Sequence, residues 1–304
     1  MRWYEHRYHT PFAHKLVFTL IPRLPRLLHP PIAVITALIF FLLLKKERRA
    51  LIGNLRRICG GRRIRGGGTL RLLWEAYQVF YSFCDFVVSY CYVPRATHPD
   101  LLKMLAHPDR AAAQIDRCLA HGKGLIVWTA HLGNWEFASR LLEMHGRRVN
   151  VARVVERGNP SEMMLRDLMA NERLRIVQLN DDPLAVVELL GALRAGEIVA
   201  MQGDRTYGPN HAPVPFFGSP VNFPLGPFVL SRASGAPVLP GIVVRQSWLR
   251  YRVIVGEPIS PGDREQPLTT ALEQAVGFLE TNLRRYHRQW LNFYSFWPGG
   301  DGGS

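Results

Sequence analysis

The sequence predicts an α/β fold: a mostly parallel sheet flanked by helices, with an N-terminal hydrophobic, membrane-anchoring helical segment ahead of it. Three observations predict this. From about residue 97 onward, short apolar runs alternate with helix-length stretches, the pattern of strand–helix units. Glycine and proline fall at the boundaries between them. Residues 31–44 (PIAVITALIFFLLL) form a 14-residue run that ends abruptly at KKERR.

As a helix, residues 31–44 would extend about 21 Å, short of the roughly 30 Å hydrocarbon core of a bilayer. A cleaved leader fits poorly, because the charged stretch before the run is too long and no small-residue site follows it. A tilted span and an interfacial insertion both remain open. GGRRIRGGG (residues 60–68) reads as a basic linker, and residues 70–93 as a helix apolar on most faces, interrupted by Asp85.

Beyond it, residues 99–120 are expected to be helical in two pieces around His107-Pro108, and residues 125–129 (LIVWT) a buried strand. Residues 134–145 read as a helix capped by Asn134 and closed by Gly146. A strand at 149–155, a helix at 160–174 and a strand at 176–179 come next. A helix capped by Asp181 or Asp182 then runs to Arg194, ahead of a strand at 198–201. Residues 203–223 read as a long loop, 224–234 as a short helix, 238–244 and 249–255 as two strands, and 268–293 as a long terminal helix. No internal repeat is visible.

The formal charge of +14 is concentrated at one end. Residues 1–73 carry 15 Lys/Arg against Glu5 and Glu47, and the remainder is almost neutral. A nucleic-acid enzyme would place its basic face on the catalytic body. Basic residues beside an apolar run fit anionic lipid head groups instead, at about 1 kcal/mol each. Cys59, Cys84, Cys91 and Cys118 show no metal-ligand or CxxC spacing, and no metal or cofactor is expected.

The chemistry points to HLGNWE. His131 follows the strand LIVWT, where α/β folds place ligands beyond strand carboxyl ends. Glu136 lies five positions on, about 140° round an ideal helix, so contact with His131 requires His131 in the loop and Glu136 in the first helical turns. An imidazole oriented by a carboxylate is a general base able to take a proton from an attacking hydroxyl. HExxH, GxSxG, GxxxxGK[ST] and GxGxxG are absent.

GLIVWTAHLGNWE resembles the H-x4-[D/E] block of the lysophospholipid acyltransferase superfamily, and is similar more narrowly to the late acyltransferases of lipid A biosynthesis. VARVVERGNP, GDRTYGPNHAPVPFFGSPVNFPLGP, LSRASGAPVLPGIV and NLRRYHRQWLNFYSFWP resemble further segments of that family in the same order, covering roughly residues 70–298. The resemblance implies a basic membrane anchor over 1–60 and an α/β acyltransferase domain over 70–298. It implies His131 as base and Glu136 as its partner, Arg153 as a phosphate or oxyanion ligand with Arg157 as its rival, and Asp204, Arg205 and Gly208 in a substrate loop.

The expected reaction moves a fatty acyl group from acyl-ACP or acyl-CoA, used as co-substrate, to a hydroxyl of a lipid A precursor or related envelope glycolipid. The expected setting is the cytoplasmic face of a bacterial inner membrane, with membrane lipids and an acyl carrier protein as partners and no nucleic acid. A membrane-bound thioesterase and a non-enzymatic membrane-anchored binding protein are the alternatives.

Overall fold

The computed structural model describes residues 19–60, 68–106, 109–154, 171–179, 183–260, 262 and 265–297. Its centre is a six-stranded sheet. The strands are β1 (Leu125–Thr129), β2 (Val149–Arg153), β3 (Leu174–Gln178), β4 (Ile198–Gln202), β7 (Val238–Ser247) and β8 (Arg250–Val255), in the spatial order β3-β2-β4-β1-β7-β8. Every pairing is parallel except β7 with β8. All five residues of β1 are buried, as a central strand covered on both faces requires. The expected α/β architecture is therefore present.

On one face, Ile126, Trp128, Val199 and Met201 meet α7 (Pro183–Arg194), α8 (Gly226–Ser234) and α9 (Leu268–Tyr286), whose Leu189, Phe228, Val276 and Leu279 are buried with them. On the other face lie α5 (Asp109–Leu119) and α6 (Trp135–Leu142), which cover Val127, Val149 and Ala200 with Ile115 and Leu142. The two-piece helix expected around His107-Pro108 appears as α4 (His98–Lys103) and α5; the break itself lies outside the described residues.

Two expectations are corrected. Residues 203–223 are not one loop: β5 (His211–Phe216) and β6 (Ser219–Pro224) form an antiparallel ribbon with alternating burial. Both strands of a two-stranded ribbon are edges, so Pro213, Pro215 and Pro220 are tolerated there. The terminal helix stops at Tyr286 rather than residue 293. After a short 3-10 turn (His287–Gln289) the chain runs non-helically against the loop after β1. The expected helix over 160–174 lies outside the described residues except at its end, where Leu174 opens β3 instead. Asp181 and Asp182 lie outside them too.

The N-terminal apolar segment is α1 (His29–Leu43), followed after Leu44 by the basic α2 (Lys45–Ile58) and then α3 (Gly68–Tyr90). Helix α1 runs antiparallel along α3: His29 meets Tyr92 just beyond the end of α3, while Phe41 packs on Tyr77 and Phe80. Polar side chains fasten α3 to the body. Glu75 accepts from Arg288 at 2.6 and 2.9 Å, and Asp85 pairs with Arg245 of β7 at 3.0 Å. Asp85, the interruption in an apolar stretch, is thus a buried tether. In α2, buried Asn54 donates to the carbonyl of Tyr294 at 2.8 Å and accepts from the backbone N–H of Phe296 at 3.0 Å.

Candidate active site

The site is built where β1 and β4 end. The two strands are parallel neighbours in register, Thr129 opposite Gln202, and the N–H of Gly203 donates to the carbonyl of Thr129 at 2.8 Å. The residue two places past each strand end is therefore brought to the same point. These residues are His131 and Asp204. Imidazole Nδ1 lies 2.7 Å from Asp204 Oδ1, and the His131 backbone N–H donates to Oδ2 at 3.1 Å. Gly203 makes this approach possible, since a Cβ there would lie 1.8 Å from Nε1 of buried Trp128.

The expected contact between His131 and Glu136 is not made; Asp204 stands in that place. Glu136 does enter the first turn of α6, which Asn134 caps by accepting from the N–H of Phe137 at 3.0 Å. Gly133 provides the turn, with φ +78° and no room for a Cβ beside the carbonyl of Val243. That geometry aims Glu136 at the end of β2, where it pairs with Arg153 and accepts from the indole N–H of Trp135 at 3.0 Å. The neighbouring ends of β2, β4 and β1 thus carry two separate polar pairs.

Glu136 and Arg153 line an apolar cavity of about 410 Å³ between the sheet and helices α5 and α6, within the size range of ligand pockets. Val127, Val151 and Leu239 form part of its wall on the sheet side, and Ile115 and Leu142 part of its wall on the helix side. His131 and Asp204 are not among the lining residues. The wall stops one side chain short, at Trp135, whose ring meets the His131 ring edge-on with centroids 5.2 Å apart.

Asp204 is buried to 1% exposure, and its Oδ2 also accepts from Trp290 Nε1 at 3.0 Å. Arg205 faces the chain end: it donates from Nε to Asn292 Oδ1 and from Nη2 to the carbonyl of Leu291, each at 2.8 Å, and lies over the Tyr294 ring. Gly208 is exposed in the following turn at φ +70°. Residues 290–292 are the part of the site that sequence reasoning missed. Leu291 N–H donates to the carbonyl of His131 at 2.8 Å, and Gly133 N–H to that of Gln289 at 2.9 Å. A signal existed in Trp290 and Asn292, two positions apart after a basic helix end, but the assumed helix concealed it.

Electrostatics fix the protonation of the central pair. Burial, reinforced by the nearby Arg205 charge, outweighs the attraction of Asp204 and lowers the His131 pKa to about 4. Asp204 is held below the ordinary carboxylate range: burial opposes its charge, but His131, Arg205 and the Trp290 hydrogen bond prevail. Near neutral pH the pair is therefore a neutral imidazole and a carboxylate. Nδ1–H donates to Asp204, which puts the lone pair on Nε2.

A parallel α/β sheet with a carboxylate-oriented imidazole beyond its strand ends, next to an apolar cavity, describes the transferase and hydrolase class of sites for lipophilic substrates. The comparisons are narrower. The chain belongs to the bacterial lipid A biosynthesis acyltransferase family, which it matches over residues 6–297. It is also similar to the phosphatidylinositol mannoside acyltransferases of Mycobacterium tuberculosis strains ATCC 25618 / H37Rv and CDC 1551 / Oshkosh. Each is 30% identical over 152 residues, which is 49% of this chain and 47% of the relative. The aligned stretch thus spans about half the length of the curated relatives.

Proposed function

We propose that the protein transfers a fatty acyl group from an acyl-ACP or acyl-CoA thioester to a hydroxyl of a lipid A precursor or related envelope glycolipid, at the cytoplasmic face of a bacterial inner membrane. The observation that carries this reading is the neutral His131, held by Asp204, one aromatic ring away from an apolar cavity. Family membership supports the reaction class.

In this scheme the acyl chain occupies the cavity and the acceptor hydroxyl approaches His131. Nε2 takes the hydroxyl proton as the oxygen attacks the thioester carbonyl carbon. Asp204 stabilises the imidazolium that forms. Arg153, at the cavity wall, supplies positive charge for the tetrahedral oxyanion, and Glu136 fixes the direction of that guanidinium. The intermediate collapses, the carbon–sulfur bond breaks, and the leaving thiolate receives the proton from imidazolium. Arg205 and Gly208 shape the loop that carries Asp204. An acidic carrier protein would dock against the basic N-terminal region.

The test supplies the purified protein with acyl-ACP or acyl-CoA, with and without a glycolipid acceptor. Acylated acceptor, formed only when the acceptor is present and lost in His131→Ala, is the expected result. Free fatty acid released equally in both conditions would instead establish a thioesterase, and turnover unaffected by His131→Ala would overturn the scheme.

A further inference from the structure

The stretch Arg26–Leu43 has a mean hydropathy of 1.9 and is long and apolar enough, by composition, to cross a bilayer. Its placement argues otherwise. At its start, buried His29 bonds the carbonyl of Ile21 at 3.0 Å and packs on the rings of Tyr92 and Trp248, while Ile21 is buried with Val88, Tyr90 and Leu174. At its end, the chain passes at Leu44 directly into α2, which is locked by Asn54 and by Arg57 over Trp297 to the segment that completes the catalytic site. Between these points α1 lies along α3, and α3 is itself tied to the body through Glu75 and Asp85. A spanning helix must deliver its two ends to opposite sides of a hydrocarbon layer of about 30 Å. Both ends of α1 are instead fixed to one folded body, about 22 Å apart.

The outward face is nonetheless strongly apolar. Leu27 is 88% exposed and Leu43 71%, with Ile35, Leu38, Ile39 and Leu42 exposed between them and Leu70 and Trp74 of α3 beside them. Soluble surfaces rarely carry such a continuous patch. Its rim is basic: Arg23 and Arg26 lie before it, Lys45 and Arg49 after it, all exposed.

We infer that α1 is not a transmembrane span but an in-plane insertion, its outward face and Trp74 sunk into the interfacial layer of an anionic bilayer and its ends held at head-group level by Arg23, Arg26, Lys45 and Arg49. This deepens the membrane association proposed above and is independent of the acyl-transfer chemistry. A lipid layer is the occupant that matches both an apolar face and a cationic rim.

The experiment has two arms on the full chain. In membrane vesicles of both orientations, Arg23→Cys, Lys45→Cys and a body reporter, His121→Cys, each built on Cys59→Ser, are labelled with a membrane-impermeant maleimide. All three sites labelling from the same face is expected; Arg23 and Lys45 labelling from opposite faces would overturn the inference. In the second arm, purified protein is floated with phosphatidylcholine vesicles with or without phosphatidylglycerol. Binding should require phosphatidylglycerol, fall roughly tenfold or more in Lys45→Gln/Arg49→Gln, and be abolished in Leu38→Asp/Leu42→Asp while the acyl-transfer rate in detergent is kept. Brominated lipid should quench Trp74. Failure to float with either vesicle would sink the inference and would indicate a protein partner for this face; the detergent assay keeps that outcome separate from failure of the catalytic reading.

Discussion

Two largely buried polar pairs sit side by side at the carboxyl edge of the sheet, and they differ in what holds them. His131 and Asp204 come from loops after adjacent strands in register, so backbone geometry alone brings them together. Glu136 and Arg153 come from a helix start and a strand end, and they face the cavity. The first pair is screened from the cavity by Trp135 and braced by Trp290; the second lines the cavity directly. In the proposed scheme the difference separates two jobs that an H-x4-E pattern in sequence makes look like one: proton transfer at His131, and charge placement at Glu136.

The largest expected effect breaks the first pair. His131→Ala should lower kcat about ten-thousand-fold, the upper range for loss of a positioned general base, measured by acyl transfer to acceptor with the fold checked by circular dichroism. Asp204→Asn should cost on the order of a thousand-fold in kcat, because the amide cannot stabilise imidazolium and presents the wrong hydrogen-bond polarity to Nδ1.

Breaking the second pair should cost less in rate and more in stability. Glu136→Gln should lower kcat roughly a hundred-fold, the scale of one lost electrostatic stabiliser. It should also lower unfolding free energy by about 1.5 kcal/mol through loss of the charge-assisted bond from Arg153, read by denaturant titration. The pH profile sharpens the contrast. Burial holds the His131 pKa at about 4, so the base stays neutral as pH falls past 6.5. The acid limb of kcat/KM should lie near pH 4 in the wild type and stay there in Glu136→Gln; a limb near 6.5 would refute the assignment of a desolvated base. The smallest effect is expected for Trp290→Phe, which removes one hydrogen bond to Asp204. It should cost about 1.5 kcal/mol, or roughly tenfold in kcat.

The sequence carried the fold well where one rule governed. LIVWT and IVAM read as strands from apolar runs, and Asn134 and Gly146 marked the ends of their helical stretch by cap chemistry. It misled where rules competed. Prolines hid the β5–β6 ribbon, since the exception for edge strands depends on knowing the pairing. The apolar, aromatic run after Tyr286 looked like more helix, although its backbone is taken up by the loop after β1. Within the site, His131 was legible from its position after a strand. Its true partner was not: Asp204 lies 73 residues away, and only the non-sequential neighbourhood of β1 and β4 joins them. Both strands are nevertheless followed, two residues on, by an acid–base side chain, a symmetry that becomes informative once adjacency is known.

The segment after Tyr286 also sets an order of events in the life of the chain. Synthesis delivers α1 before His131, His131 before Asp204, and Asp204 before Trp290 and Asn292. Yet Trp290 holds Asp204, Asn292 holds Arg205, and Leu291 holds the carbonyl of His131. A nascent chain stalled before Trp290 would already contain α1 and both members of the His131–Asp204 pair, while that pair remained unbraced. Bracing of the pair is thereby tied to the arrival of residues 290–292 rather than to that of the pair itself.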